Sequence, residues 1–313
     1  MVKLNTATRM MDLQTINKNR VIVLLGATAS GKSEIIQKLS DYLPIELISA
    51  DSVQIYRRLD IGSAKPSKEE MKKFPHHLID IKQFDEVYSA GEFVSSANAL
   101  VEQIHSRSNI PVISGGTNFY IQNFLYGMSQ TPPTDSVIRE KIQNEKERLG
   151  LGELYKRLQK ADPQYADKIS EFDSQRITRA LEIIEITGKG VSSFSIPSVV
   201  RDDLEIHIYA IKTDNTVLKA RIIDRVDKMF SIGLEKEVSS LINDGANEGM
   251  QSMKAIGYRE FFIPELSIDE IKERIISDTV HYAKRQRTFM RSIPMVEERT
   301  HDEILNTILN DFT

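Results

Sequence analysis

The chain contains no cysteine and no tryptophan. The absence of cysteine excludes disulfide bonds, a thiolate nucleophile and any zinc finger that depends on cysteine ligands. Long apolar runs are missing too, since every run is far shorter than the roughly 20 residues of a membrane-spanning helix. The polar N-terminus also lacks the apolar core of a signal peptide. We therefore expect a cytoplasmic protein with no membrane association, and a monomer.

The 41 basic and 45 acidic side chains give a formal net charge of -4. A negative balance argues weakly against nucleic-acid binding, but basic residues can be segregated on one surface. With 313 residues, 40% of them hydrophobic, the chain can form one large domain or two ordinary ones. The local distribution of charge therefore matters more than the total.

The most informative segment is GATASGKS at residues 26–33, which follows the apolar run Val21–Leu25 and precedes an apparent helix, Glu34–Leu39. The two glycines let successive N–H groups point inward, and the helix N-terminus adds partial positive charge. The pattern predicts a phosphate-binding P-loop rather than an ordinary glycine-rich turn. The residues predicted to bind a diphosphate here are Gly26, Ala27, Thr28, Ala29, Ser30, Gly31, Lys32 and Ser33. Lys32 would reach the terminal phosphate, and the Ser33 hydroxyl would face Mg²⁺.

Short apolar runs alternate with helical stretches from Val21 to about Tyr126. The strand-like runs are Val21–Leu25, Glu46–Ser49, His77–Ile81 and Ile110–Ser114. This alternation is typical of a parallel sheet covered by helices. Residues 1–19 show no periodicity and are expected to form a flexible leader.

A break at Thr131–Asp135 ends this alternation, and the chain is charged and helix-periodic from Ser136 to about Gly188. A strand-like run then returns the chain to the sheet. That run and the helices predicted after it are Leu204–Ile211, Asn215–Ser231, Gly233–Asn243 and Ile268–Arg291. The sequence thus predicts an α/β fold: a P-loop-type parallel sheet covered by helices at residues 20–131 and 205–313, with an all-helical insertion domain at residues 132–204.

Asp51 follows the second apolar run directly. The carboxyl ends of strands line the ligand crevice in doubly wound sheets, so Asp51 should lie near the P-loop. Aspartate is also a favourable helix N-cap. Its position alone leaves both roles open.

Several further segments form an ordered set with the P-loop. They are Asp51–Tyr56, Ile61–Pro66, His76–Asp80, Gly115–Tyr120, Asp173–Glu182, Ala255–Glu260 and Ala283–Thr288. In this order they resemble the motifs of the bacterial type of tRNA dimethylallyltransferase, also called tRNA isopentenyltransferase, over about residues 20–292. Three residues depart from the usual pattern: Ala27 replaces proline, Ser33 replaces threonine and Phe289 replaces tryptophan. Each keeps the required N–H group, hydroxyl or aromatic face.

The resemblance implies transfer of a dimethylallyl group from dimethylallyl diphosphate to N6 of adenosine 37 in the tRNA anticodon loop, with Mg²⁺ as cofactor. The exocyclic amine is a poor nucleophile, so a positioned base is useful, and Asp51 is the candidate. Thr117 matches a substrate-contacting position, although the preceding glycines can also form a plain tight turn. The resemblance further implies that Arg221 or Arg225 touches the diphosphate; both would also suit a solvated helix face.

Four basic residues and no acidic one lie between Thr279 and Val296. They are Lys284, Arg285, Arg287 and Arg291. On a helix, three of them share a face and Tyr282, Gln286 and Phe289 mark a neighbouring one, which suits phosphate contacts and base stacking. A solvated helix is the alternative.

The resemblance places other residues at the tRNA, and the Gln54 amide is suited to reading the adenine edge. These residues are Asp51, Ser52, Val53, Gln54, Thr117, Arg139, Gln175, Arg176, Ile177, Thr178, Arg179, Lys254, Gly257, Tyr258, Arg259 and Gln286. Because the target base must leave the stacked loop, we expect the helical insertion to act as a mobile clamp on the tRNA.

Adjacent residues on a strand point to opposite faces, so His76 and His77 cannot chelate one ion together and are predicted to be structural. Three alternative functions were weighed against this one, and the sequence argues against each of them without excluding it. The helical insertion and the basic segment argue against an isopentenyltransferase that acts on free adenine nucleotides. A nucleotide kinase or NTPase needs phosphoryl-transfer partners, and a GTPase needs an Asn-Lys-x-Asp motif, which Asn17-Lys18 does not complete. Intact Lys32, Ser33 and Asp51 oppose an RNA-binding protein with an inactive loop.

Overall fold

The computed structural model describes residues 19–195, 197–293 and 296–312, and the chain forms two compact units. The larger comprises the described residues of Met1–Leu125 and of Arg201–Thr313, and the smaller those of Tyr126–Val200. The flexible leader predicted at residues 1–19 lies, except for Asn19, outside the described residues. No helix of the described residues is both long and apolar enough to cross a membrane.

A six-stranded sheet with the order β3-β2-β4-β1-β5-β6 forms the centre of the larger unit. Every strand pair in it is parallel. The strands are β1 (Arg20–Leu25), β2 (Ile45–Ser49), β3 (His76–His77), β4 (Ile110–Ser114), β5 (Glu205–Ile211) and β6 (Glu298–Arg299). The central strands β1 and β4 are buried along their whole length, because helices cover the sheet. The predicted parallel sheet is confirmed.

The helices of this unit follow the strands in chain order. They are α1 (Lys32–Ser40), α2 (Lys68–Met71), α3 (Ala90–Ser106), α4 (Asn118–Tyr126, whose last residue belongs to the smaller unit), α9 (Asn215–Ser231), α10 (Leu234–Asn243), α11 (Ile268–Ser292) and α12 (His301–Phe312). Their boundaries have local causes: Ser267 and Glu270, for example, form a reciprocal capping box at the start of α11.

One core cluster joins α1 and α12 to the sheet. It contains Ile35 and Leu39 of α1, Ile304 and Ile308 of α12, and Ile22 of β1. These side chains recur every three or four residues on each helix, so one face of each is apolar. The core therefore lies beside the helix that begins at the P-loop.

One predicted strand needs correction, and two elements were not predicted. The third strand is His76–His77 rather than His77–Ile81, because Leu78 (φ 61°) and Asp80 (φ 57°) take left-handed conformations that end the pairing. The sequence also missed β6 and α12, although Ile304, Ile308 and Phe312 have helical spacing.

The smaller unit is helical in its described residues. Its helices are α5 (Ser136–Leu149), α6 (Leu151–Ala161), α7 (Pro163–Ala166) and α8 (Ser174–Thr187), followed by a short 3₁₀ turn, Val191–Ser193. Ile142, Leu154, Leu158, Ile177 and Leu181 form its own core. Its bounds, Tyr126–Val200, lie a few residues before those predicted for the insertion, 132–204. The role of a tRNA clamp stays a prediction.

Candidate active site

A cavity of about 810 Å³ lies in the larger unit where β2 and β4 end. Ligands of parallel sheets bind at this edge, because the loops after the strands diverge there. The predicted site residues that line it are Thr28, Ala29, Ser30, Gly31, Lys32, Ser33, Asp51, Ser52, Val53, Gln54, Thr117, Arg221, Arg225, Lys254, Gly257, Arg259 and Arg285. The predicted residues of this unit outside the lining are Gly26, Ala27, Tyr258, Lys284, Gln286, Arg287 and Arg291.

The P-loop connects β1 to α1 through two left-handed residues, Ala29 (φ 61°) and Gly31 (φ 95°). The Ser30 N–H donates to the Ala27 carbonyl at 3.1 Å, which closes the turn. Gly31 is the N-cap of α1, and no side chain of the described residues bonds to the helix start there. The first N–H groups of α1 and the positive end of its dipole are therefore available to an anion.

Lys32 and Arg225 place two cations at this loop. Lys32 Nζ donates to the carbonyls of Gly26 (2.7 Å) and Ala27 (3.0 Å), and Arg225 Nη1 donates to Thr28 Oγ1 (3.4 Å). Burial lowers the pKa of Lys32 to about 8; repulsion from Arg225 adds to this and attraction from Asp51 opposes it. Burial also lowers the pKa of Arg225. Two desolvated cations beside free N–H groups form a site that a multiply charged anion would stabilise.

Asp51 uses its two carboxylate oxygens differently. Oδ1 accepts hydrogen bonds from the N–H groups of Val53 (2.9 Å) and Gln54 (3.2 Å). Oδ2 faces Gly116, since a Cβ added there would lie 3.1 Å from it, and it accepts no hydrogen bond from the described residues. Asp51 therefore stabilises a turn, and it is not the N-cap of a helix, which was one of the two roles left open for it. Its Oδ2 remains available to a substrate.

Thr117 holds the segment that follows Asp51. Its Oγ1 accepts from the Ser52 N–H (2.8 Å) and donates to Ser52 Oγ (3.0 Å), and its own N–H donates to the Ala50 carbonyl (2.9 Å). Gly115 allows this approach, because a Cβ there would lie 2.1 Å from the Ala50 oxygen. Thr117 thus aligns the Asp51 turn.

Gln286 connects the P-loop to the Gly115-Gly116 turn. Its Oε1 accepts from the Thr28 N–H (2.7 Å), and its Nε2 donates to the Gly116 carbonyl (2.7 Å). The Tyr282 hydroxyl donates to that same carbonyl at 2.5 Å. Gln286 is buried, and both ends of its amide are bonded within the protein, while the contact with tRNA predicted for it stays a prediction. Helix α11 thus fixes the two loops to each other.

A sequence model of the IPP transferase family matches residues 54–293, which is most of the chain. The chain belongs to the IPP transferase family. It is 38% identical over 289 residues to the tRNA dimethylallyltransferase of Chlamydia muridarum, covering 90% of this chain and 92% of that one. The enzyme of the same name from Sulfurihydrogenibium is 40% identical over 274 residues, covering 86% and 88%. The structure is similar to the tRNA isopentenylpyrophosphate transferase of Bacillus halodurans, with a TM-score of 0.69, 31% identity and coverage of 94% and 97%.

Three predicted RNA-contacting residues of this IPP transferase are exposed at the cavity, Lys254, Arg259 and Arg285. Arg259 is held by ion pairs with Glu260 (3.0 Å) and Asp278 (2.6 Å). Tyr258, which precedes Arg259 in the chain, is fully buried. Its side chain therefore packs inside the protein, and the RNA contact predicted for this residue stays a prediction.

The basic segment of α11 is less uniform than the sequence indicated. Arg285 lies 5.6 Å from the Tyr282 ring and lines the cavity. Arg287 bonds to Asn215, and Arg291 pairs with Glu298 of β6 at 3.0 Å. Lys284 is exposed. The acidic partner of Arg291 comes from a strand that the sequence did not reveal.

Half of the predicted RNA-contacting residues of the smaller unit are exposed. Arg139, Gln175 and Arg176 face solvent. Arg179 pairs with Glu182 at 3.0 Å and also bonds to the Pro132 carbonyl, while Thr178 Oγ1 donates to the Ser174 carbonyl at 2.9 Å. Ile177 is buried in the core of this unit. The side chain of Ile177 therefore packs inside the unit, and the RNA contacts predicted for all these residues stay predictions.

The two adjacent histidines have separate structural contacts. His77 Nε2 lies 2.7 Å from Glu46 Oε2, and His76 Nδ1 lies 2.8 Å from the Phe74 carbonyl while its ring stacks on Phe74. Hydrogen bonds from Arg107, Asn109 and His77 outweigh the burial of Glu46 and lower the pKa of that carboxyl to about 2. These contacts agree with the structural role predicted for His77. His76 also lines the cavity, so its structural role stays a prediction.

His301, the first residue of α12, packs against Gly31 of the P-loop, and the sequence analysis did not predict this contact. A Cβ added at Gly31 would lie 2.4 Å from His301 Nε2. This ring nitrogen is buried and has no hydrogen-bond partner among the described residues. His301 therefore packs against the P-loop. No local sequence pattern could have indicated this contact, because Gly31 and His301 are far apart in the chain.

Proposed function

We propose that this chain transfers a dimethylallyl group from dimethylallyl diphosphate to N6 of adenosine 37 in tRNA. The observation that carries the proposal is the composition of one cavity. An anion site with two half-buried cations and a carboxylate oxygen without a hydrogen-bond partner among the described residues line the same space. The names of the relatives at 38% and 40% identity support the same reaction.

The leaving group would bind at the P-loop. As the allylic C–O bond breaks, both bonding electrons go to the diphosphate oxygen. Lys32, Arg225 and the N–H groups at the start of α1 would meet this growing negative charge. Lys32 would exchange one of its bonds to the Gly26 and Ala27 carbonyls for a bond to the diphosphate. Arg221, exposed at the cavity, would contact the outer phosphate.

The nucleophile would bind near Asp51. As N6 forms its bond to the allylic carbon, it must lose a proton, and Asp51 Oδ2 would accept it. Oδ1 stays bonded to the turn, so the carboxylate does not need to reorient. Gln54 is less free to read the adenine than predicted, because its amide bonds to Ser49 Oγ (3.1 Å) and to the Ala64 carbonyl (3.3 Å).

Magnesium is part of the proposal. The described residues contain no cluster of three or more His, Asp or Glu side chains that could hold a metal ion. Mg²⁺ commonly binds through substrate phosphates and one or two protein oxygens, and the exposed Ser33 hydroxyl at the cavity fits such a donor set. When bound, the ion would neutralise charge on the departing diphosphate.

The tRNA would contact the basic side chains exposed at the cavity, Lys254, Arg259 and Arg285, through its phosphates. The smaller unit, with Arg139 and Arg176 exposed, would act as the clamp that holds the anticodon loop while the base is turned out. The cytoplasmic location and the monomeric state stay predictions.

One incubation tests the proposed function. Purified protein, Mg²⁺ and radiolabelled dimethylallyl diphosphate are mixed with unmodified tRNA or with AMP. We expect label in tRNA and none in AMP. Label in AMP alone would identify a transferase for free adenine nucleotides, and label in neither would contradict prenyl transfer.

Donor binding is expected to weaken as the pH rises through about 8. In the free protein the Lys32 ammonium is charged below its pKa of about 8 and neutral above it. A diphosphate binds the charged form better, so its dissociation constant should be constant below this pH and rise above it. Titration calorimetry with an unreactive donor analogue between about pH 7 and pH 9 measures this.

Lys32→Met is the matched control for the pH series, since it has no group that titrates there. A rise in the dissociation constant of the same size in that variant would assign the effect to the donor or to another group.

A further inference from the structure

Two facing segments form one side of the cavity, residues 60–66 and 254–259, which we call the acceptor wall. Its residues at the cavity are Gly62, Ser63, Ala64, Lys65, Pro66, Lys254, Ala255, Ile256, Gly257 and Arg259. The wall is joined to the Asp51 turn, because Gln54 Nε2 donates to the Ala64 carbonyl at 3.3 Å. A displacement of the wall would therefore also displace the Asp51 turn, where the adenine is proposed to bind.

Glu237 of α10 bonds to both segments of the acceptor wall. Its Oε2 accepts from the N–H groups of Asp60 (3.1 Å) and Ile61 (2.7 Å). Its Oε1 accepts from the Gly62 N–H (3.1 Å) and from the Tyr258 hydroxyl (2.8 Å). One carboxylate thus fixes three successive N–H groups of the first segment to the buried phenol of the second.

The two segments also pack without space for a side chain between them. A Cβ added at Gly62 would lie 2.6 Å from the Tyr258 ring, and one added at Gly257 would lie 3.3 Å from the Gly62 carbonyl oxygen. Gly257 also has a φ of 97°, which disfavours any other residue. The gap between the segments is therefore set by contact and leaves little freedom.

The position requires an acceptor-only group with two oxygens. An ionised carboxylate offers about four lone-pair sites and no donor. A glutamine in its place would turn an NH₂ group toward either the Gly62 N–H and the Tyr258 hydroxyl or the other two N–H groups. In the first orientation the Gly62 N–H would lose its acceptor, while the Tyr258 hydroxyl can rotate and accept from the NH₂ group. In the second, the N–H groups of Asp60 and Ile61 would lose theirs. At least one backbone N–H is then left without an acceptor in a packed setting, and the wall would have to move.

We propose that Glu237 is a positioning residue that holds the acceptor wall at the distance the tRNA adenosine needs. It lines no part of the cavity itself and acts through Gly62 and Tyr258. This inference rests on the proposed function, since it assigns the wall to the acceptor. The donor site is built from other elements, the P-loop and α9, so a disturbed wall should leave donor binding unchanged.

The test compares Glu237→Gln with Glu235→Gln, an exposed glutamate on the same helix. We expect the first to raise KM for tRNA about tenfold or more and to change kcat by less than about threefold. The dissociation constant for an unreactive donor analogue should stay within about twofold of wild type in both variants. Tyr258→Phe removes one of the four hydrogen bonds and should give a smaller rise in KM for tRNA.

Other results would overturn the inference. One is a KM for tRNA that stays at the wild-type value in Glu237→Gln. Another is a parallel loss of donor and tRNA binding, which would show a general structural role. If Glu237→Gln does not fold, Gly62→Ala moves the wall by pushing on the Tyr258 ring, and an unchanged KM for tRNA there also contradicts the proposal. Wild-type protein that does not label tRNA would contradict the proposed function instead.

Discussion

Asp51→Asn is expected to lower kcat by about 10²–10⁴ while tRNA affinity stays near the wild-type value, because positioned proton transfer contributes a factor of this size. The asparagine oxygen can still accept the hydrogen bonds that Val53 and Gln54 give to Oδ1, so the turn persists. What is lost is the basicity of Oδ2. Turnover with radiolabelled donor measures kcat, and filter binding measures tRNA affinity.

The asparagine variant is more informative than alanine, which would remove the base and the turn together. Asp41→Asn is a suitable control, since it changes an exposed aspartate at the end of α1 and should retain wild-type turnover. Unchanged turnover in Asp51→Asn would limit Asp51 to its role in the turn.

Lys32→Met is expected to lower kcat/KM for dimethylallyl diphosphate by about 10²–10³, because one of the positioned donors for the departing diphosphate is lost. Methionine is nearly as long as the lysine side chain but carries no charge and cannot donate a hydrogen bond. Steady-state kinetics at saturating tRNA measures the effect. The KM for tRNA should change little, since the acceptor is proposed to bind near Asp51.

Lys38→Met provides the matched control. Lys38 lies in the same helix, is 48% exposed in its side chain and, within the part of the chain that the structure describes, pairs only with Glu34 at the surface. Such exposed pairs contribute little to stability. Wild-type donor kinetics in Lys32→Met would contradict the assignment of the diphosphate to the P-loop.

The P-loop is the part of the structure that the sequence predicts best. Its glycine spacing, the buried strand before it and the helix after it all act within a few residues, and the structure has strand, loop and helix where the pattern predicted them. Helix α9 was predicted with the bounds that the structure has, Asn215–Ser231, because its apolar spacing is regular. Strand β3 was mispredicted, because apolar content there does not reveal the left-handed residues Leu78 and Asp80.

The candidate site was only partly predictable. The position of Asp51 after β2 predicts that it lies near the P-loop. The sequence does not reveal that Oδ1 bonds to the turn while Oδ2 faces Gly116, which only the structure shows. Gln286 is a different case. Its place on a basic helix predicts a contact with RNA, whereas in the structure the side chain is buried and its amide bonds to Thr28 and Gly116. Burial of one helix face depends on what packs against it, which helix periodicity does not reveal.

The sequence by itself determined the family, the parallel sheet and the identity of the phosphate-binding loop, because these follow from short patterns whose residues act on their immediate neighbours. Only the tertiary structure decided what fixes that loop and the opposite wall: Gln286 on Thr28, His301 on Gly31 and Glu237 on Gly62. Each contact joins residues more than 170 positions apart. The physical reason is that chain topology brings such pairs together, and no local preference at either residue specifies its partner.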